Sequence, residues 1–160
     1  MDEAGAAGAG PVRLLVLNGP NLDRLGRREP EIYGHQTLAD LERALAAEAA
    51  TLGAAIVCRQ SNHEGDLVGW VGAAEDEGFH AILLNAGALT HTSYSLYDAL
   101  RGSSLPCVEV HLSNPEAREP FRHQSVIAAA CVGKVSGFGV ASYALAARGA
   151  LAVLAKAASD

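Results

Sequence analysis

Apolar residues recur along the chain in short unbroken runs, separated by longer segments that carry a helical stripe. Val12–Asn18 (VRLLVLN) is nearly continuous in hydrophobicity, the pattern of a strand buried on both faces. Ala54–Arg59 (AAIVCR), Phe79–Asn85 (FHAILLN), Cys107–Leu112 (CVEVHL) and Cys131–Ser136 predict four further strands. Between them lie predicted helices. The clearest follows Thr37, which can N-cap it with Asp40 in the place of the capping-box acid. Leu38, Leu41, Leu45 and Leu52 form its apolar stripe, and Gly53 stands at the C′ position. Asp66–Glu77, Ser93–Leu100 and Ser142–Ala158 are the other helices. Strand and helix alternate throughout. That alternation implies an α/β fold: a flavodoxin-like doubly wound domain with a five-stranded parallel sheet.

No internal repeat or second domain is visible, so residues 12–160 are expected to form a single catalytic α/β domain. Residues 1–11 carry Asp2 and Glu3 among Ala and Gly, without the basic start and apolar block of a signal peptide. They read as a disordered N-terminal extension of a cytoplasmic protein. The segment Gly19–His35 exceeds the ~12–15 residues usual for a structureless connection, so a functional lid is expected there.

Composition narrows the function classes. The formal net charge of −6 disfavours a nucleic-acid partner, and no run reaches the ~20 apolar residues of a membrane span. Cys58, Cys107 and Cys131 all fall in segments read as strands. Their odd number and wide spacing predict buried, reduced thiols and no metal site. Arg27, Arg28, Arg118 and Arg122 crowd into two loops, so a small anionic ligand can meet locally positive charge despite the total.

In a doubly wound fold the ligand sits beyond the carboxyl ends of the strands. Four strands here run into Asn18-Gly-Pro-Asn21, Gln60-Ser-Asn-His-Glu64, Asn85 to His91, and His111-Leu-Ser-Asn114. Each polar end alone is an ordinary turn or helix cap. Their convergence on one rim points to a site.

Two residues on that rim suit proton transfer. Tyr33 lies in the arginine-rich loop. A phenol ionises near pH ~10, so acting as a base near neutrality requires roughly 4 kcal/mol of phenolate stabilisation. A neighbouring guanidinium is the natural source, and Arg28 is the candidate. On the fourth strand, Glu109 and His111 are i and i+2 and share a face. A carboxylate beside an imidazole favours its charged form and fixes its tautomer, as a general acid requires. Ser113, Arg118 and Arg122 offer a carboxylate cradle. No P-loop, nucleophile elbow or zinc motif is present, and the lysines, Lys134 and Lys156, are poorly placed for a Schiff base.

The segments LNGPNLDRLGRREPEIYG (Leu17–Gly34), RQSNHEGDLVGW (Arg59–Trp70), LNAGALTHTS (Leu84–Ser93) and VEVHLSNPEAREPFRHQS (Val108–Ser125) resemble the signature blocks of the type II 3-dehydroquinate dehydratases. The resemblance spans Val12 to Leu154. It implies dehydration of 3-dehydroquinate to 3-dehydroshikimate through an enolate, without metal or cofactor, in a homo-dodecamer built as a tetramer of trimers. It further implies Tyr33 as base, His111 as acid with Glu109 orienting it, Arg28 as enolate stabiliser and Asn21 as the residue positioning a water. Asn85, His91, Leu112, Ser113 and Arg122 match substrate contacts, and Asp98 an acid that reaches a neighbouring subunit's site. Glu116 and Ser142 depart from the family's pattern. The competing reading is a flavodoxin-like nucleotide- or flavin-binding protein, since fold alone does not fix function.

Overall fold

A computed structural model describes residues 10–160. The expected extension at residues 1–11 therefore lies almost wholly outside the described residues. The strands are β1 (Val12–Asn18), β2 (Ala54–Gln60), β3 (Ala81–Asn85), β4 (Cys107–His111) and β5 (Gly133–Ser136). All pair in parallel in the order β2-β1-β3-β4-β5, a flavodoxin-like sheet. Side chains alternate across it. Leu14 and Val16 enter the core beneath α2 (Leu38–Thr51) and α5 (Ala141–Ala157). Leu15 and Leu17 enter the opposite core beneath α3 (Glu64–Ala73) and α4 (Tyr94–Gly102). Both faces of β1 are thus dry, which is why its sequence runs apolar without interruption.

The capping box of α2 forms in full. Asp40 N–H donates to Thr37 Oγ1 at 3.2 Å, and Thr37 N–H donates to Asp40 Oδ2 at 3.0 Å. Other boundaries shift for local reasons. Phe79 and His80 do not join β3; the Arg13 N–H is taken instead by His80 Nδ1 at 2.9 Å. Cys131 precedes β5, because its N–H closes a turn onto Ala128 O at 3.0 Å. Only Cys107 is buried among the thiols, whereas Cys58 and Cys131 are half-buried, which corrects the expectation that all three are internal. Cys58 lies on the edge strand β2 and Cys131 in a turn, so neither is enclosed from both sides. The segment Gly19–His35 is not structureless. It holds a 3₁₀ turn at Leu22–Arg24 and a short helix α1 (Pro30–Tyr33), with Leu22 and Leu25 buried as anchors. Pro30 opens α1 with the φ a helix needs.

The carboxyl ends of β1 and β3 are cross-linked from below. Asn18 and Asn85 are register partners, and Tyr143 of α5 joins them. Its hydroxyl donates to Asn18 Oδ1 at 2.5 Å and accepts from Asn85 Nδ2 at 2.9 Å. Burial pushes this phenol above the usual tyrosine range, which keeps it neutral and donating. Tyr143→Phe orphans both amides, at about 1–3 kcal/mol for each buried group. Urea unfolding should show a lower midpoint with an unchanged slope. Above this network the two strand ends press together. A Cβ on Gly19 would lie 2.6 Å from the Ala86 carbonyl oxygen, so only glycine fits the first turn.

Candidate active site

The loops after β1, β3 and β4 surround an open pocket. Tyr33, presented by α1, is half-buried at its wall. The guanidinium against its phenol belongs to Arg118, whose Nη1 donates to Tyr33 Oη at 2.5 Å while its carbon sits 5.2 Å from the ring centroid. Sequence reasoning favoured Arg28 for this contact. Arg28 lines the same pocket, but its Nε lies 3.6 Å from Glu29, and its side chain is 48% exposed. The reason is geometric: α1 has a single turn, so a residue before its start does not share Tyr33's face, whereas Arg118 approaches from across the pocket. Arg118 Nε is buried without a protein partner, which leaves donor capacity unused.

His111, the last residue of β4, lines the pocket, and Glu109 lies wholly buried behind it. His111 Nε2 is 3.2 Å from Glu109 Oε1, as strand alternation required. The ring N–H does not point at the oxygen well enough for a hydrogen bond, so the contact is an ion pair when the ring is charged. Ser125 Oγ donates to the same carboxylate oxygen at 2.6 Å. Burial opposes the charge on Glu109, yet His111, the Ser125 hydroxyl and Lys134 outweigh it and hold the carboxyl below its usual range. A carboxylate depressed on folding adds stability above its unfolded value, and that stability is lost as pH falls through the folded one. Urea midpoints followed downward through the carboxylate range should therefore fall. Glu109→Gln should flatten that part of the curve, and an unflattened curve would assign the acid sensitivity elsewhere.

The remaining candidates divide cleanly. Asn21, in a left-handed backbone conformation at φ 69°, lines the pocket, and its N–H donates to Asn62 Oδ1 at 2.9 Å. Asn85 is nearly buried and held by Tyr143. The His91 Nδ1 edge faces Gln124 O at 2.7 Å, so Nδ1–H donates to that carbonyl, and the ring packs edge-on to Phe121. Leu112, Ser113 and Arg122 also line the cavity. Arg122 is shared with Glu119, to which its Nε donates. Asp98 does not line the pocket; it is exposed on α4, one turn from Tyr94, which is 70% exposed. Among the described residues, no group of three His, Cys, Asp or Glu side chains is placed to hold a metal ion. No described helix is long and apolar enough to cross a membrane.

The family model for "Dehydroquinase class II" matches residues 12–151, nearly the whole described chain. The chain belongs to the class II dehydroquinase family. It is 60% identical over 133 residues to a 3-dehydroquinate dehydratase of Deinococcus radiodurans, covering 83% of this chain and 93% of that one. It is also 60% identical to a 3-dehydroquinate dehydratase of Thermus thermophilus, covering 83% and 89%. A solved type II dehydroquinase from Propionibacterium acnes superposes with a TM-score of 0.83 at 42% identity, over 87% of this chain and 95% of that chain. Two residues that sequence reasoning did not single out hold side chains of the pocket from behind. Tyr143 and Ser125 lie 58 and 16 residues from the side chains they hold. Ser142 and Glu116, the two positions read in the sequence as unusual, have local partners. Ser142 Oγ accepts from Phe138 N–H at 3.0 Å, and Glu116 faces Lys134 at 3.8 Å rather than the pocket arginines.

Proposed function

We propose that this chain dehydrates 3-dehydroquinate to 3-dehydroshikimate in the shikimate pathway, which supplies aromatic amino acids, as a hydro-lyase working through an enolate. The observation that carries the reading is the pairing, in one pocket, of a phenol under a guanidinium with a histidine backed by a buried carboxylate. These are the two halves of an acid–base elimination. Tyr33 takes the proton from the carbon beside the ketone, and Arg118 stabilises the phenolate that does so. Arg28, with a water positioned by Asn21, stabilises the enolate oxygen. His111, oriented by Glu109, gives its proton to the departing hydroxyl, which leaves as water. The backbone amides of Leu112 and Ser113 hold the substrate carboxylate, with Asn85, His91 and Arg122 as further contacts. The enolate's electron pair forms the carbon–carbon double bond as the C–O bond breaks, so the steps are proton transfers and one C–O cleavage with no net change of oxidation state, and the chemistry calls for no cofactor.

The same reading treats residues 12–160 as one catalytic domain working in the cytoplasm. It also has the chain assemble as a dodecamer of four trimers, in which Asp98 reaches a neighbouring subunit's site. The exposed Tyr94 and Asp98 on one face of α4, and exposed Phe121 and Phe138, support an assembly that covers them. A sizing column tests it: elution as a monomer would remove Asp98 from the site. The competing flavin-binding reading is settled by the preparation itself. Colourless protein that stays active after borohydride and substrate together supports an elimination without an imine. A yellow chromophore, or inactivation by borohydride, contradicts it.

A further inference from the structure

Glu109 presents an electrostatic problem that the proposed mechanism leaves open. Its carboxylate is fully buried; Oε1 receives the Ser125 hydroxyl and faces His111, while Oε2 has no hydrogen-bond partner. A buried charge with an unsatisfied oxygen requires a counter-charge close by. His111 cannot supply it throughout the reaction, because as the acid it becomes neutral when it gives up its proton.

The surroundings of Glu109 offer a second cation from one direction. On β3 its register partner is Leu84, which is apolar. On β4 its same-face neighbours are the Cys107 thiol and His111. The segment before β5 contributes the neutral Ser125 hydroxyl. On β5 its register partner is Lys134. Register partners in a parallel pair project from the same face, which sets the lysine alongside the carboxylate. Val135, the next residue, joins the opposite core, as alternation demands. Lys134 Nζ is also 3.8 Å from Glu116 Oε1, with the lysine side chain 30% and the glutamate 56% exposed. The ammonium thus contacts the outer carboxylate of Glu116 directly and stands beyond ion-pair distance of Glu109, on the same face of the sheet.

We propose that Lys134 is a positioning residue, the permanent counter-cation that keeps Glu109 ionised while His111 cycles between its two charge states, with Glu116 as its outer tether. The proposal rests on the acid–base reading of Glu109 and His111 above. The attraction of Lys134 for the carboxylate acts in the required direction. It also gives Glu116 a role away from the substrate.

The experiment is an infrared pH titration of the full-length protein, with the band of protonated Glu109 identified by its loss in Glu109→Gln. Lys134→Met should shift that band's appearance to higher pH, since removing a nearby positive charge makes the carboxylate easier to protonate. Lys134→Arg should return it toward the wild-type position. The acid-side fall in kcat should move with the band in Lys134→Met and return in Lys134→Arg. Superimposable titrations of Lys134→Met and wild type overturn the proposal. So does a shift as large in Lys134→Arg as in Lys134→Met, because charge would then not be the agent. Wild-type protein that fails to turn over 3-dehydroquinate refutes the proposed function instead, while the infrared titration still decides on the lysine.

Discussion

Tyr33→Phe should lower kcat by roughly 10²–10⁴-fold, the usual contribution of one positioned proton-transfer group. The substitution removes a single oxygen. The ring remains on α1 and keeps its place beside the Arg118 guanidinium, so neither the short helix nor the pocket wall loses its packing. The oxygen accounts for everything else at this position: it accepts the Arg118 N–H at 2.5 Å and would take the substrate proton. Binding should change little, and the loss should appear in kcat with KM near its wild-type value. Steady-state kinetics with a circular dichroism control measures this. Full activity in the variant would remove Tyr33 from the chemistry.

His111→Gln should have an effect of the same order, for a different reason. Glutamine retains polar contact near Glu109 and roughly fills the space, but it cannot deliver a proton to the leaving hydroxyl. Because Glu109 is fully buried, the variant also loses the ring that shares its charge. A stability loss should therefore accompany the kinetic one, seen as a lower urea midpoint. Urea unfolding and kcat should both move. A drop in stability with kcat unchanged would make His111 a structural histidine.

The frame of the molecule was legible in the sequence because burial on both faces of a parallel sheet leaves a direct record. Leu14 to Leu17 had to be apolar whichever core they entered. The start of α2 was equally readable, since Thr37 and Asp40 cap the helix through each other's backbone, three residues apart. The position of His111 followed from a strand ending, and its pairing with Glu109 from strand alternation. What stayed hidden depends on side chains meeting across the fold. Arg118 lies 85 residues from Tyr33, and no local pattern separates it from Arg28 as the partner of a phenol. Helix α1 is too short to carry a helical period, so the segment around it read as a long loop, a functional lid, with no helix inside it. Tyr143 carries no local signal within the helix predicted over Ser142–Ala158. Its hydroxyl matters because Asn18 and Asn85 end neighbouring strands at the same level.

The central claim is that the Tyr33 and His111 pocket eliminates water from 3-dehydroquinate by acid–base chemistry alone. The most direct measurement is the rise in ultraviolet absorbance when the purified chain meets 3-dehydroquinate in the presence of a metal chelator and without added cofactor. The account predicts sustained formation of the conjugated acid by the wild-type chain. No absorbance change with folded protein, or turnover that stops when the chelator is added, would contradict it.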